Sequence, residues 1–306
     1  MVKLAAVSCA SDPRNKQANL DTMITWIEKA AEQNVDILVF PEDHLTGLGT
    51  AFMTEYKAED KLYWYENCEL VPEGPSVQEI IRQAKKHNMY ICWGMTERDP
   101  QRATIMHNAS VLVGPEGFVG KYRKVHLPLA ERFWVTPGFD YPVFETAFGK
   151  VGLMTCYDKM YPEVARSLAV QGAEIILCGT GWPNLTQSEE DPDHKAYMTI
   201  TPARALENMI VWVEATTGDA ADAEQKTFEG HSMIYGPSPN QLLAITGFGE
   251  DMAVAEIDLQ AELAQARFVS MNGSDLLQDR VPSTYWHLTE FDEYSRFAAG
   301  LKTYDK

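Results

Sequence analysis

A unit of one helix followed by one apolar strand recurs along the chain, and this recurrence constrains the fold more than any other feature. Apolar residues recur at helical spacing in three segments, and a short, mostly apolar run follows each of them. The pairs are 18–34 with VDILVF (35–40), 75–88 with MYICWG (89–94) and 162–172 with AEIILCG (173–179). Helices that alternate with apolar strands predict an α/β fold.

Two of these units match each other in pattern. The stretches AEQNVDILVFPE and AVQGAEIILCGT both pass from a helix end through Gln, a turn residue and an acidic residue into an apolar strand. This internal similarity predicts two related halves. Chance similarity between a single pair of stretches is the alternative.

Six further runs are apolar on both faces instead of alternating between apolar and polar residues. They are Leu4–Cys9, Ala109–Gly114, Phe118–Arg123, Val151–Thr155, Ile210–Ala215 and His231–Tyr235. Strands of this kind lie in sheets that are covered on both sides. With helices on one side and a second sheet on the other, they predict a four-layer α-β-β-α sandwich.

The net charge limits the partners of the chain. The 26 basic and 44 acidic side chains give a net charge of −18, which repels phosphate backbones and disfavours a nucleic-acid partner. A solvated acidic surface is the simpler interpretation. A chain of 306 residues, 45% of them hydrophobic, buries enough surface to need no disulfide or metal for stability.

The cysteines indicate a reducing environment. Their number is odd and no CxxC pair occurs, which argues against a zinc cage and a disulfide framework; they are Cys9, Cys68, Cys92, Cys156 and Cys178. The apolar stretch in MVKLAAVSCASDPRN is too short for a signal peptide, and no run approaches 18 apolar residues. We therefore expect a cytoplasmic protein without a membrane partner.

Three short segments carry reactive residues, and each lies just past a strand. They are VFPEDHLTG with Glu42, GKYRKVHLP with Lys124, and KVGLMTCYDKMYPE with Cys156. Reactive groups converge at the carboxyl ends of strands in α/β folds, so we expect these three side chains to share one site.

These segments, in this order, resemble the nitrilase (carbon–nitrogen hydrolase) superfamily. ARALENMIVWVEAT and GHSMIYGPS are similar to later blocks of that family, and the resemblance spans residues 4–260. It implies a nitrilase-like α-β-β-α sandwich in one hydrolase domain, residues 1–277, with no metal or organic cofactor. It also implies a homodimer or larger assembly through the helix after the cysteine. Residues 278–306 form an aromatic, charged tail, either at a subunit interface or a solvated terminus.

The resemblance also implies the role of each reactive residue. Cys156 is the nucleophile, and because a free thiol is mostly protonated at neutral pH, Glu42 acts as its general base. Lys124 and the backbone N–H after Cys156 stabilise the oxyanion. The covalent intermediate is a thioester, or a thiocarbamate if the substrate is a ureido compound.

Further residues are candidates for the same site. Glu131 matches a second glutamate that the family often has after the lysine; a surface acid is the alternative. Four side chains are candidates for substrate binding, although a structural histidine or a packed aromatic residue would explain them as well. They are Tyr157, Trp182, Trp134 and His126. The segment 47–67 is expected to shape the pocket.

The residues after the cysteine indicate the branch of the family. Cys156-Tyr157-Asp158 resembles amidases and carbamoylases, whereas true nitrilases usually have Cys-Trp-Glu. Many of these relatives have Arg where this chain has Met160, so a substrate carboxylate loses its expected partner, although Lys159 could partly replace it. A buried Met160 would favour an apolar acyl group.

The leading hypothesis is therefore an amidase that acts on a small linear amide and releases ammonia or an amine. Hydrolysis of an N-carbamoyl (ureido) compound is the alternative, and a nitrilase or a non-catalytic binding protein of the same fold follows. A papain-like protease would need a CGSCW-like segment, and a serine hydrolase would need GxSxG; the chain has neither.

Overall fold

The computed structural model describes residues 1–48, 58–224 and 226–289. Twelve strands are found there: β1 (Val2–Ser8), β2 (Ile37–Val39), β3 (Tyr90–Arg98), β4 (Met106–Gly114), β5 (Gly117–Arg123), β6 (Val143–Thr146), β7 (Gly149–Thr155), β8 (Ile175–Thr180), β9 (Val211–Thr216), β10 (Met233–Tyr235), β11 (Leu242–Ile245) and β12 (Asp251–Ile257). The helices in the same residues are α1 (Lys16–Glu32), α2 (Ala58–Asn67), α3 (Pro75–His87), α4 (Pro162–Val170), α5 (Pro192–Asn208) and α6 (Leu259–Phe268).

The strands form two six-stranded sheets with one pairing pattern. The first has the order β12-β1-β2-β3-β4-β5 and the second the order β6-β7-β8-β9-β10-β11. In each sheet the second, third and fourth strands are parallel, and the other neighbours are antiparallel. Strand β2 corresponds to β8, the strand of the second matching stretch, as the hypothesis of two related halves expects.

The core confirms the four-layer sandwich. Alternate residues of a strand point to opposite faces of its sheet. In β1, Leu4 and Ala6 pack into the cluster that contains the second sheet, whereas Ala5 and Val7 pack against α1 and α3. The second sheet is covered on its other face by α4 and α5, which contribute Leu168 and other side chains to the first cluster.

Local chemistry sets the starts of several helices. The Asn15 side chain accepts a hydrogen bond from Ala18 N at 3.1 Å and caps α1, and Asp258 caps α6 in the same way. Helices α3 and α4 begin with proline, whose fixed φ suits the first helical position.

The boundaries of two strands differ from the apolar runs in the sequence. Strand β3 continues to Arg98 because fully buried Glu97 accepts hydrogen bonds from Arg123 on β5. Strand β10 begins at Met233 and not at His231, because His231 has a left-handed backbone with φ of +47°.

Residues 270–289 contain only short 3-10 turns, and the remaining tail, 290–306, lies outside the described residues, as do 49–57 of the predicted pocket segment. The division at residue 277 stays a prediction. Of the helices in the described part of the chain, none is both long and apolar enough to cross a membrane.

Candidate active site

Glu42 lies directly past β2, where two glycines allow the backbone to approach closely. A Cβ on Gly94 would lie 2.1 Å from the backbone nitrogen of Asp43, so β3 can pass beneath Glu42 only with glycine there. On the other side, the Gly181 N–H donates to Glu42 Oε2 at 3.1 Å. The carboxylate is therefore buried and fixed from both sheets.

Lys124 follows β5 and lies between two buried carboxylates. Its Nζ donates to Glu42 Oε1 at 2.6 Å and to Glu131 Oε2 at 2.7 Å, and the Lys124 side chain is only 1% exposed. Burial alone would lower the pKa of Lys124, but Glu131 and Glu42 outweigh it and raise that pKa. The lysine is thus held as an ammonium group.

Glu131 is a buried acid of this network and not a surface acid. It lies in the 3-10 helix Leu129–Phe133, and burial raises its pKa to about 7 while Lys124 opposes that shift. A carboxyl group with such a pKa can exchange a proton near neutral pH.

Asn108 is a member of the site that the sequence analysis missed. Its Nδ2 donates to Glu42 Oε1 at 2.8 Å and to Glu131 Oε1 at 2.7 Å, so one amide links both acids. The polar residues of HNAS inside the otherwise apolar strand β4 are the signal that could have revealed it.

Cys156 stands at a strained turn between β7 and the 3-10 helix Cys156–Met160. Its φ is +45°, a left-handed conformation that is costly for a residue other than glycine and is often found at functional sites. Burial raises the pKa of the Cys156 thiol, and Glu42 adds to this, whereas Lys124, Lys159 and the Gly181 N–H lower it. The resting thiol is therefore protonated and requires a base.

Asp158 connects the turn that carries Cys156 to the end of β5. Its Oδ2 accepts a hydrogen bond from Tyr122 at 2.6 Å, and its Oδ1 accepts one from the His126 backbone at 3.0 Å. The His126 ring also contacts Asp158, with Nδ1 at 2.8 Å, and stacks on Tyr161. The structure thus places His126 as an anchor between the Lys124 and Cys156 segments.

The aromatic candidates for substrate binding occupy three different places. Tyr157 is half-buried beside Cys156 and contacts Tyr161 edge-on, and Trp182 is half-buried directly after Gly181. Trp134 is buried instead, with its ring edge-on to Trp64 at 4.8 Å. Tyr157 and Trp182 adjoin the site, whereas Trp134 packs in a separate aromatic cluster.

Two possibilities for the turn after the cysteine are not supported by the structure. Met160 is 37% exposed and not buried, so it does not shape an apolar acyl pocket from within. Lys159 is fully buried and forms an ion pair with Glu214. Because its Nζ already binds this carboxylate and its side chain is not exposed, Lys159 is not available to bind a substrate carboxylate.

Among the described residues, one cluster has the donor types of a metal site: His194, Glu229 and His231, whose ligand atoms lie within 4.8 Å of one another. Glu229 Oε1 lies 2.6 Å from His194 Nδ1 and 2.9 Å from His231 Nδ1, and Asn184 donates to Oε2 at 2.8 Å. A tetrahedral zinc ion would hold such ligands about 3.3 Å apart. The three groups instead satisfy one another by hydrogen bonds, and His231 is part of this structural cluster.

Comparison with known proteins identifies the class. The model of the carbon-nitrogen hydrolase family matches residues 3–267, so the chain belongs to that family. It is a hydrolase that acts on carbon–nitrogen bonds other than peptide bonds, and the predicted superfamily resemblance is confirmed.

Particular relatives carry different names. The chain is 32% identical over 294 residues to a nitrilase of Pyrococcus abyssi, covering 94% of this chain and 100% of that protein. It is 30% identical over 279 residues to an (R)-stereoselective amidase of a Pseudomonas species, covering 91% of each. The fold matches Nit3 of Saccharomyces cerevisiae, a member of branch 10 of the nitrilase superfamily, with a TM-score of 0.75 at 24% identity over 89% of this chain and 95% of that one.

Proposed function

We propose that this chain hydrolyses the C–N bond of a small linear amide through a thioester on Cys156 and releases ammonia or an amine. The observation that carries the proposal is the buried Glu42–Lys124–Glu131 network beside a cysteine in a left-handed turn. The amidase relative supports the same reaction class.

The first half of the reaction forms the acyl-enzyme. Glu42 accepts the thiol proton as Cys156 Sγ attacks the amide carbon, which suits a thiol whose pKa burial raises. Lys124 Nζ and the backbone N–H of Tyr157 stabilise the negative charge that develops on the carbonyl oxygen. The C–N bond then breaks, and the leaving nitrogen takes the proton from Glu42.

The second half releases the acid. Glu42 removes a proton from water as the water oxygen attacks the thioester carbon, and that proton passes to the departing sulfur of Cys156. Glu131 keeps Lys124 in place through both halves by accepting its hydrogen bond at 2.7 Å, and Asn108 keeps Glu42 in place by donating to it at 2.8 Å.

A linear amide is favoured over an N-carbamoyl amino acid by the state of Lys159. The carbamoyl hypothesis relied on this lysine to meet a substrate carboxylate, and the ion pair with Glu214 removes that support. We therefore propose a neutral acyl group. Ureido compounds and nitriles are the alternative substrates and are included in the test.

The test measures ammonia release from small amides, N-carbamoyl amino acids and nitriles, with Cys156→Ala beside the native chain. Cys68→Ala is the matched control, because Cys68 is buried in the separate aromatic cluster. We expect release from amides that Cys156→Ala abolishes and Cys68→Ala retains. Release only from nitriles or carbamoyl compounds, or unchanged release by folded Cys156→Ala, would overturn the proposal.

A further inference from the structure

The ion pair between Lys159 and Glu214 has no part in the reaction described above, yet it lies next to the nucleophile. Both side chains are 0% exposed. Removing two charges from water is costly unless their hydrogen bonds are nearly complete, so the partners of each group define what the pair can do.

Glu214 has a full set of donors. Its Oε1 accepts hydrogen bonds from Lys159 Nζ and from Thr180 Oγ1, the latter at 2.8 Å. Its Oε2 accepts from Thr201 Oγ1 at 2.9 Å and from Trp212 Nε1 at 3.0 Å. Four donors therefore satisfy the hydrogen-bonding capacity of this buried carboxylate.

Lys159 is held within the same short turn as Cys156. It lies three residues after Cys156 in the 3-10 helix Cys156–Met160, and both side chains are buried. Arg204 Nε donates to the Lys159 carbonyl at 2.8 Å and holds the turn. The ammonium group also lies 4.0 Å from the ring centroid of Tyr197 and 4.7 Å from that of Trp182.

The two nearby cysteines show how the pair is oriented. Cys178 Sγ lies 3.5 Å from Thr180 Oγ1, the hydroxyl that donates to Glu214. After burial, Glu214 is the largest influence on the pKa of Cys178, which it raises, and Lys159 lowers that pKa by less. For Cys156, burial and Glu42 raise the pKa, and Lys124 and then Lys159 lower it. Glu214 is therefore the stronger charge of the pair at Cys178, whereas Lys159 is the charge of the pair that acts on Cys156.

We propose that the Lys159–Glu214 pair is a fixed dipole whose ammonium end stabilises the Cys156 thiolate, which makes Lys159 a positioning residue for the nucleophile. This inference rests on the proposed function in one respect, which is that Cys156 is the attacking group. Lys124 is engaged by two glutamates and by the developing oxyanion, so Lys159 supplies a second cation that lowers the pKa of the thiol. This cation is tied to the same turn as Cys156 and does not bind substrate.

The test follows alkylation of Cys156 by iodoacetamide across a pH series, with the modified peptide quantified by mass spectrometry. Lys159→Met removes the cation at similar length, and Lys159→Met/Glu214→Gln also removes the carboxylate that would otherwise remain buried and unpaired. Both variants should alkylate about tenfold more slowly at neutral pH, with the midpoint raised by roughly one pH unit. Lys16→Met is the matched control, because it breaks an ion pair with Glu69 near α1 and should leave the midpoint unchanged.

The double variant separates electrostatic from structural roles. A folded double variant with the native midpoint would overturn the proposal, because it lacks the cation while retaining the packing. Alkylation requires no turnover, so a raised midpoint in a chain without amidase activity would support this inference while the proposed function failed. Circular dichroism of each variant establishes that the folded state is being compared.

Discussion

Asn108 is a residue on which two acids of the site depend. A single amide nitrogen donates to Glu42 and to Glu131, the two carboxylates that Lys124 also contacts. Hydrogen bonds to charged groups contribute about 1.5–3 kcal/mol each. The residue thus determines where the base stands relative to the lysine.

Replacing Asn108 by leucine should therefore reduce kcat/KM for an amide by about 10- to 100-fold, with most of the loss in kcat. The acids remain, but their orientation is lost. Steady-state kinetics of Asn108→Leu beside Asn108→Asp test this, since a third carboxylate should be at least as damaging. Native kcat in Asn108→Leu would show that the acids hold their positions without the amide.

Strand β3 positions Glu42, the proposed catalytic base, through a residue without a side chain. Gly94 lies below the segment that carries Glu42, and its carbonyl accepts a hydrogen bond from Leu45 N at 3.1 Å. A Cβ there would lie 2.7 Å from the carbonyl carbon of Glu42, so any larger residue must displace that backbone.

Gly94→Ala should consequently lower kcat/KM by about 100-fold, the typical effect of displacing a reactive group by an ångström. We also expect a loss of stability of about 1–3 kcal/mol from overpacking. The control is Gly247→Ala, because a Cβ on Gly247 has open space around it. Equal activity of the two variants in the amide assay would refute the role of β3.

Features that depend on a short stretch of sequence, such as a strand and the residue that follows it, could be predicted. Glu42, Lys124 and Cys156 each follow an apolar run, so their convergence at the strand ends was accessible. Asn108 and the Lys159–Glu214 pair were not, because their partners are distant in sequence and are brought together only by the tertiary fold. The exposure of Met160 was not accessible either, because only the 3-10 turn decides that Met160 is exposed while Lys159 is buried.

At the scale of the whole molecule, a buried carboxyl group makes stability depend on pH. Asp43 is 1% exposed, and burial raises its pKa to about 8, although Thr96 donates to it at 3.0 Å. Between its ordinary pKa near 3.8 and about 8, the folded chain retains a proton that the unfolded chain has lost. Its contribution to stability is therefore complete at low pH and declines as the pH rises through this window.

Asp43→Asn should remove that decline, because asparagine resembles the protonated carboxyl group. The free energy of unfolding of the native chain should fall, relative to the variant, by up to about 1.4 kcal/mol per pH unit in the window. Thermal unfolding of both proteins at mildly acidic and mildly alkaline pH measures the difference. Parallel pH dependences would mean that Asp43 is already ionised in the folded state.

The central claim, a thioester on Cys156, is tested most directly by competition between water and hydroxylamine. Two amides with the same acyl group and different leaving amines are hydrolysed with hydroxylamine present, and the ratio of hydroxamate to acid is measured. Both amides would form the same acyl-enzyme, from which the leaving amine has already departed. We therefore expect the same ratio of hydroxamate to acid from both amides. Ratios that differ between the two amides would contradict a common covalent intermediate.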